Sequence, residues 1–171
     1  MIDLAALVRT VPDFPKPGIL FRDLTPLMGD AAALRVTIER LVAPFRASRV
    51  ETVAGTEARG FIFGALAAAA LGAGFVPLRK PGKLPAAVEA VTYQLEYGTA
   101  TLEVQRDALH RGRRVLLVDD VLATGGTAAA SVDLLERLGA TVVGLGFVLE
   151  LVALRGRAKF TGRTLHSVLA F

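Results

Sequence analysis

The stretch VLLVDDVLATGGT, residues 115–127, places two adjacent carboxylates between an apolar run and a glycine-rich turn. The apolar run VLLV (115–118) does not alternate with polar residues, which is typical of a strand buried on both faces of a parallel sheet. The residues ATGGT (123–127) can open a helix whose first main-chain N–H groups bind an anion. We therefore predict a strand, a ligand-binding corner and a helix, in that order.

The two carboxylates repel a phosphate, yet they stand just before a turn that favours one. A ribose 5-phosphate satisfies both features, because its phosphate accepts hydrogen bonds from the turn while its 2′- and 3′-hydroxyls donate to the carboxylates. The alternative is an acidic strand end followed by a helix that Thr127 caps. We favour the sugar phosphate because both features follow one buried strand. The predicted sugar-phosphate residues are Asp119, Asp120, Ala123, Thr124, Gly125, Gly126 and Thr127.

The rest of the chain alternates helices and strands around this unit. Apolar residues at helical spacing predict helices over 2–9, 31–46, 60–71 and 126–138. Short apolar runs predict strands over 50–54, 75–78, 115–119, 141–148 and 165–170, with β segments over 91–97 and 100–105. Strand–helix–strand units of this kind predict an α/β fold, a doubly wound and mainly parallel sheet flanked by helices. Ligands bind at the carboxyl ends of the strands in such sheets.

Two segments interrupt the alternation. Residues 11–26, VPDFPKPGILFRDLTP, contain prolines that exclude both a helix and a central strand, so their backbone is expected to be free of sheet pairing. Residues 80–98 are polar and flanked by glycine, which predicts a flexible lid loop. We expect one domain over 1–171, with a small N-terminal hood over about 1–30.

The composition limits the class of protein. Hydrophobic residues make up 53% of the chain and aromatic residues only 6%, so the core consists mainly of Ala, Val and Leu. Cysteine is absent, which excludes disulfides, thiolate catalysis and cysteine-ligated zinc. The net charge of +4 does not demand a nucleic-acid partner, because a few well-placed cations suffice for an anionic small molecule.

The same composition argues against secretion and membrane insertion. Asp3 stands where a secretory signal carries positive charge, and no small-residue cleavage site follows, so we expect a cytoplasmic protein. Residues 61–78 carry no charge and approach the length of a membrane span. However, Ala and Gly dominate this stretch and Pro77 closes it. A buried helix, a turn at Gly72 and a short strand describe it better than a membrane partner does.

The stretch 115–127 resembles the phosphoribosyl-pyrophosphate (PRPP) signature of type I phosphoribosyltransferases. Three further parts of the chain resemble the adenine phosphoribosyltransferases in particular, in the same order along nearly the whole chain. They are FPKPGILFRDLTPLM (14–28), EARGFIFG with RKPGKLP (57–64 and 79–85), and YQLEYGTATLEVQRDAL (93–109). The resemblance implies the type I phosphoribosyltransferase fold. It also implies a pentosyltransferase, EC 2.4.2.7, that makes AMP and pyrophosphate from adenine and PRPP in purine salvage.

The resemblance also implies roles for residues outside the signature. The pyrophosphate residues would be Glu57, Ala58, Arg59, Arg79, Lys80 and Lys83, with a cis peptide bond between Glu57 and Ala58. The alternative for the last three is a solvated charge cluster. The adenine residues would be Leu20, Phe21, Arg22 and Val121. Phe21 and Val121 would cover the two faces of the base, although an ordinary buried aromatic is the other interpretation of Phe21.

The catalytic residues implied by the resemblance are Glu96 and Tyr97. Glu96 would handle the proton on the imidazole side of adenine, and Tyr97 would close over the ribose and pyrophosphate. The alternative is a surface hairpin with an incidental glutamate. Mg²⁺ is the expected cofactor, held mainly by substrate oxygens, because the sequence offers no dedicated ligand cluster and His110 and His166 are isolated. A homodimer is also implied, for which the apolar helices 2–9 and 31–46 are suited.

Two other functions fit part of the sequence. A sister phosphoribosyltransferase acting on orotate, hypoxanthine or xanthine would share residues 115–127 but differ in the hood and lid. A PRPP-sensing regulator that binds DNA or RNA would use the basic segments HRGRR (110–114) and RGRAK (155–159). The segments FRD and LEYG favour the adenine enzyme over the first alternative. The modest net charge favours small-molecule substrates over the second.

Overall fold

The central sheet of the computed structural model, which describes residues 2–94 and 98–171, is parallel throughout. Its strands run in the order β4-β3-β7-β8-β9. Their bounds are β3 Thr52–Thr56, β4 Gly74–Leu78, β7 Arg114–Leu122, β8 Thr141–Glu150 and β9 Leu165–Ala170. All five residues of β3 are buried, as the non-alternating apolar runs of the sequence predict.

Helices cover both faces of this sheet. Helices α2 (Ala31–Val42) and α3 (Gly60–Leu71) pack with one hydrophobic cluster, which includes Val53, Leu116 and Val148 of the strands. On the opposite face, α4 (Gly126–Arg137) packs with the antiparallel pair β5 (Val88–Gln94) and β6 (Thr99–Gln105). The predicted doubly wound α/β fold is therefore confirmed.

The order of the strands creates a crevice at one edge of the sheet. The chain passes from β3 through α3 to β4 on one side, and from β7 through α4 to β8 on the other. The direction of winding thus reverses between β3 and β7, which are neighbours. In doubly wound sheets ligands bind at the carboxyl ends of the strands beside such a reversal. The carboxyl ends of β3 and β7 are therefore the expected place for the site.

The predicted N-terminal helix over 2–9 is wrong. The structure has a single 3₁₀ turn at Ala5–Leu7, followed by strand β1 (Arg9–Pro12). Strand β1 pairs antiparallel with β2 (Leu20–Asp23) and forms a separate two-stranded sheet. A helix this short is unstable in isolation, and β-branched residues such as Thr10 and Val11 favour the strand. The segment 11–26 is consequently not free of sheet pairing, contrary to the expectation from its prolines.

Proline also shifts two helix boundaries. Helix α2 ends at Val42 instead of continuing to 46, and a 3₁₀ helix follows over Ala43–Ser48. Pro44 cannot donate a hydrogen bond to the preceding turn, so it does not continue the α-helix. A short helix α1, Thr25–Gly29, begins inside the segment predicted to contain none. Its Pro26 lies in the first turn, where proline is tolerated because those N–H groups have no helical partner.

The apolar stretch 61–78 divides as the sequence predicts. Helix α3 ends at Leu71, its C-terminal cap Gly72 has a left-handed φ of 65°, and strand β4 follows. Within residues 2–94 and 98–171, no helix combines the length and the apolar character that crossing a bilayer requires.

Candidate active site

A cavity of about 680 Å³ opens at the carboxyl ends of β3 and β7. It extends beneath the β1–β2 sheet on one side and the β5–β6 pair on the other. Most of the predicted site residues line it. These are Leu20, Phe21, Arg22, Glu57, Ala58, Arg59, Lys80, Asp119, Asp120, Val121, Ala123, Thr124, Gly125, Gly126 and Thr127.

The glycine turn forms the floor of this cavity at the start of α4. Gly125 is the N-terminal cap of α4 and has a φ of 77°, a left-handed conformation that favours glycine. The first intrahelical hydrogen bond runs from the Ala129 amide to the Gly125 carbonyl at 2.9 Å. The amides between these two residues precede that bond and carry the positive end of the helix dipole. The turn is therefore suited to an anion.

Both carboxylates lie within β7, whereas the predicted strand ended at residue 119, because β7 continues to Leu122 and pairs with β8 over that length. The Asp120 amide donates to Asp119 Oδ1 at 2.9 Å. Burial, and then the negative charge of Asp120, raise the pKa of Asp119 well above its usual range. Asp120 itself is buried and accepts a hydrogen bond from Arg59 Nε. The acidic pair is thus partly removed from water, and only one of its two carboxylates, that of Asp120, pairs with a protein cation.

The Asp119 carboxylate fits against the start of α3 because residue 60 is a glycine. A Cβ atom at this position would lie 2.6 Å from Asp119 Oδ1 and 3.2 Å from the carbonyl oxygen of Val118. Such contacts are too short for any residue except glycine. The first residue of α3 therefore leaves room for the acidic side chain of the neighbouring strand.

The loop after β3 carries the second set of predicted residues. The Glu57–Ala58 peptide bond is cis, as predicted. The Glu57 carboxylate accepts from the Lys80 amide at 3.0 Å and from Arg79 Nε at 3.2 Å. The Lys80 amide lowers the pKa of Glu57 most, and Arg79 adds to this effect. Arg79 also donates to the Lys83 carbonyl at 3.1 Å, and neither Arg79 nor Lys83 lines the cavity, whereas Lys80 does.

An apolar slot lies between the β1–β2 sheet and β7. Phe21 and Val121 both line the cavity here, and the Arg59 guanidinium carbon lies 5.6 Å from the centroid of the Phe21 ring. Leu20 and Arg22 flank Phe21 in β2. Because main-chain groups alternate along a strand, Leu20 and Arg22 direct theirs to the same edge.

Several lining residues escaped the sequence analysis. Tyr93 of β5 donates from its hydroxyl to Thr127 Oγ1 at 3.2 Å, which joins the β5–β6 pair to the glycine turn. Thr56 lines the cavity and has a buried hydroxyl with no hydrogen-bond partner among the described residues. Tyr93 opens the segment 93–109 that carries the family resemblance, but no role was predicted for it or for Thr56, and only the fold brings the two residues to the site. The predicted catalytic residues Glu96 and Tyr97 lie outside the described residues.

The basic segments that suggested nucleic-acid binding have structural contacts. Arg114 donates from Nε and Nη2 to the Ser48 carbonyl at 3.0 and 2.8 Å. Arg113 donates to Thr52 Oγ1 at 3.0 Å. Arg114 thus ties the start of β7 to the end of the 3₁₀ helix Ala43–Ser48, and Arg113 ties it to the start of β3.

Metal ligands do not cluster in the part of the chain that the structure describes. No group of three or more His, Cys, Asp or Glu side chains there is arranged to hold a metal ion.

Comparison with known proteins agrees with this geometry. A family model described as a phosphoribosyl transferase domain matches residues 31–164. The chain is 62% identical over 171 residues to an adenine phosphoribosyltransferase of Methylococcus capsulatus, which covers 100% of both chains. The crystal structure of adenine phosphoribosyltransferase from Rhodothermus marinus is 51% identical, with a TM-score of 0.93 over 98% of this chain and 96% of that one.

A second solved structure carries ligands. The adenine phosphoribosyltransferase of Saccharomyces cerevisiae, complexed with D-2,5-dideoxy-2,5-imino-altritol 1,6-bisphosphate and adenine, is 39% identical, with a TM-score of 0.91. The match covers 97% of this chain and 96% of that chain. Full-length identity and a shared fold together give the assignment: the chain belongs to the phosphoribosyltransferase family and, within it, to the adenine phosphoribosyltransferases.

Proposed function

We propose that this protein transfers the 5-phosphoribosyl group of PRPP to adenine, giving AMP and pyrophosphate. One observation carries the proposal: a single cavity joins an anion-binding glycine turn, a buried acidic pair and an apolar slot for a flat base. The yeast relative, solved with adenine and a bisphosphorylated imino sugar, supports the same combination of ligands. Purine salvage in the cytoplasm is the setting that we propose for this activity.

The sugar phosphate would span the corner between β7 and α4. The 5-phosphate accepts hydrogen bonds from the main chain and hydroxyls of residues 123–127. The 2′- and 3′-hydroxyls donate to Asp119 and Asp120, whose burial leaves them in need of donors. The turn and the carboxylates therefore bind opposite ends of one ligand and do not compete for the same group.

The pyrophosphate would lie beside the loop after β3. Arg59 and Lys80 line the cavity and supply positive charge to this leaving group. Glu57 holds the main chain of Lys80, and Arg79 bonds to both Glu57 and the Lys83 carbonyl. Of the predicted pyrophosphate residues, Arg79 and Lys83 do not line the cavity and would contribute through the shape of the loop and through their positive charge.

Adenine would occupy the slot between Phe21 and Val121. Stacking on Phe21 and contact with Val121 cover the two faces of the base. The Leu20 carbonyl would accept from the exocyclic amino group, and the Arg22 amide would donate to a ring nitrogen. Because oxopurines present the reverse arrangement of donors and acceptors at this edge, they would leave the main-chain groups of β2 unpaired.

Transfer requires that N9 of adenine attack C1′ of the ribose while the bond from C1′ to the pyrophosphate oxygen breaks. The proton on the imidazole ring of adenine must leave at this stage, and Glu96 is the residue that we propose to accept it. Tyr97 would close over the reacting atoms, although Val88–Gln94 form strand β5 and not part of the flexible loop predicted over 80–98. Excluding water here prevents hydrolysis of PRPP.

Mg²⁺ fits this site as an ion held by the substrate. PRPP offers pyrophosphate and ribose oxygens, which suit magnesium, and the described residues supply no cluster of their own. Asp119 and Asp120 are the nearest carboxylates to the ribose in this proposal. When bound, the ion would neutralise charge on the departing pyrophosphate.

A second copy of the chain is the partner that we propose. Helix α3 has the sequence GFIFGALAAAAL, without a charged or polar side chain. Its residues Ile62, Ala65, Leu66 and Ala69 are nevertheless exposed. A helix that is apolar on every side is normally buried, so this face fits the interface of a homodimer. The predicted helix over 2–9 does not exist and cannot serve this purpose.

The substrate assignment predicts a specific activity. With Mg²⁺ and PRPP, adenine should be converted to AMP, and kcat/KM for hypoxanthine and guanine should be lower by at least about a thousandfold. A chelator should stop the reaction because the pyrophosphate loses its counter-ion. Chromatographic detection of the nucleotide product checks this, and equal activity with hypoxanthine would assign the enzyme to the sister group.

The acidic pair predicts an effect confined to PRPP. Asp120→Asn removes a charged acceptor for the ribose hydroxyls, which should raise KM for PRPP by about 10- to 100-fold. KM for adenine should stay within about twofold, because the base slot is separate. The matched control is Asp133→Asn on the outer face of α4, where Asp133 pairs with Arg137. Initial-rate measurements give both KM values. Equal rises in the two values would contradict the proposed role of Asp120 in binding the ribose hydroxyls.

Glu96→Gln tests the proposed proton acceptor. The variant should lower kcat by about 10²- to 10⁴-fold, the usual contribution of general base catalysis, while binding of PRPP changes little. Steady-state kinetics together with calorimetric titration of PRPP separate the two effects. Equal losses in turnover and PRPP affinity would make Glu96 a binding or folding residue instead.

The apolar face of α3 predicts the oligomeric state. Ile62→Glu should convert a dimer into a monomer, because a buried charge at a two-fold interface costs several kcal/mol. Leu154→Glu is a matched control, since Leu154 and Ile62 are each 44% exposed. Sedimentation equilibrium distinguishes the two variants. A wild-type chain that sediments as a monomer would refute the proposed homodimer.

A further inference from the structure

The segment after β8 folds back onto the glycine turn. In the sequence it is noticeable only for its basic residues, RGRAK (155–159). This return segment, residues 152–160, consists of two 3₁₀ helices, Val152–Leu154 and Gly156–Phe160. Arg155 joins them with a φ of 53°, in the left-handed region. Most of its residues are exposed, but Gly156 and Phe160 are buried. These two residues therefore mark the side of the segment that faces the protein.

Gly156 lies directly against the main chain of the glycine turn. A Cβ atom at Gly156 would lie 2.2 Å from the Ala123 carbonyl oxygen and 2.9 Å from the Gly125 nitrogen. A Cβ atom at Gly125 would in turn lie 2.8 Å from the Gly156 carbonyl oxygen and 3.2 Å from the Phe160 ring. Neither position can accept a side chain. The position of the return segment thus fixes the position of the turn.

An ion pair next to Gly156 fixes the return segment itself. Arg157 Nε donates to Glu150 Oε1 at 3.0 Å, and Arg157 Nη2 donates to Glu150 Oε2 at 2.5 Å. Glu150 is 6% exposed and also accepts from the Ser167 hydroxyl at 2.9 Å. Arg157 Nη1 donates to the Leu165 carbonyl at 3.1 Å. A bidentate pair to a buried carboxylate holds the segment on the last residue of β8 and the first residues of β9.

We propose that Glu150 and Arg157 are positioning residues for the PRPP site and that they act through Gly156. The proposal rests on the proposed function in assigning the 5-phosphate to residues 123–127. Hydrogen bonds to a phosphate weaken steeply when the donor N–H groups lose their alignment with the acceptor oxygens. Loss of the ion pair lets Gly156 move away from the turn, so the amides of the turn no longer converge on the phosphate.

The proposal predicts a selective loss of affinity for the sugar phosphate. Glu150→Gln keeps the shape of the side chain but removes its charge, and it should raise KM for PRPP by about tenfold. The dissociation constant for ribose 5-phosphate, measured by calorimetry, should rise by a similar factor. KM for adenine should change by less than about twofold, since the base slot does not touch the return segment. Gly156→Ala should have a larger effect in the same direction.

A graded pair of variants separates positioning from folding. Arg157→Ala should raise KM for PRPP more than Arg157→Lys, because lysine restores one charged donor to Glu150. Glu136→Gln is the matched control: it removes the ion pair with Arg163 at the far end of α4, at 2.9 Å, and should change neither KM. Gly29→Ala is the control for glycine, since Gly29, like Gly156, has no left-handed φ, and an added Cβ there has no neighbour within 4 Å.

The outcomes are distinguishable. If the wild-type enzyme makes no AMP from adenine and PRPP, the proposed function fails before any variant is tested. If the wild-type enzyme is active but Glu150→Gln and Arg157→Ala leave KM for PRPP and ribose 5-phosphate binding unchanged, the positioning role is overturned. A lower melting temperature with unchanged KM values would likewise overturn it, because it would show a purely structural contact. Should Gly156→Ala fail to fold, the Glu150 and Arg157 variants decide alone.

Discussion

The site depends on one backbone contact, between the left-handed glycine turn at the start of α4 and the main chain of Gly156. Gly125 can take its φ of 77° and still meet the Gly156 carbonyl only because neither residue has a side chain. The contact sets how far the amides of the turn stand from the acidic residues of β7. That distance is what allows a phosphate and two carboxylates to share one cavity.

Charge compensation explains why the free site tolerates a buried acidic pair. Asp120 pairs with Arg59, while Asp119 is held by the Asp120 amide and has a raised pKa. A ligand that brings hydroxyl donors satisfies both carboxylates without adding another negative charge beside them. Arg59 reaches from this pair towards the Phe21 ring. One guanidinium therefore lies where the sugar, the base and the leaving group of the proposed reaction meet.

The sequence predicts the parts of this molecule that depend on local pattern. Apolar runs predict the strands of the sheet, and the joined motif at 115–127 predicts the corner that forms the cavity floor. Contacts between distant segments are not predictable in this way. Gly156 meets Gly125, and Tyr93 meets Thr127, only because the sheet order brings them together. Nothing in the local sequence RGRAK (155–159) indicates that Gly156 must be a glycine.

The N-terminal error has a similar cause. Residues 2–9 have apolar residues at helical spacing, but a pattern this short does not decide between helix and strand. Pairing with β2, which lies beyond a proline-rich loop, draws Arg9 into β1, and the residues before it form only the 3₁₀ turn Ala5–Leu7. The spacing of apolar residues alone therefore does not predict the structure of a segment whose stabilising partner is a strand distant in sequence.

Within the hood, strands β1 and β2 contain no buried residue, whereas Leu4, Val8, Leu24 and Leu27 beside them pack into the hydrophobic cluster of α2 and α3. Arg9 pairs with Asp23, whose pKa falls to about 2, chiefly through the Thr25 hydrogen bond and then through Arg9. This carboxylate stays charged throughout the neutral range, so the tie within the β1–β2 sheet does not depend on pH there. Arg22 reaches the ring of Phe171, at 4.6 Å from its centroid. A small sheet held at its edges can present main-chain groups to adenine while the sugar phosphate is bound by the rigid central sheet. In the proposed reaction the main chain of β2 recognises the edge of the base and the β7–α4 corner binds the sugar phosphate, while Val121 of β7 covers the base next to Asp120. Substitutions in the hood are therefore expected to affect adenine more than PRPP.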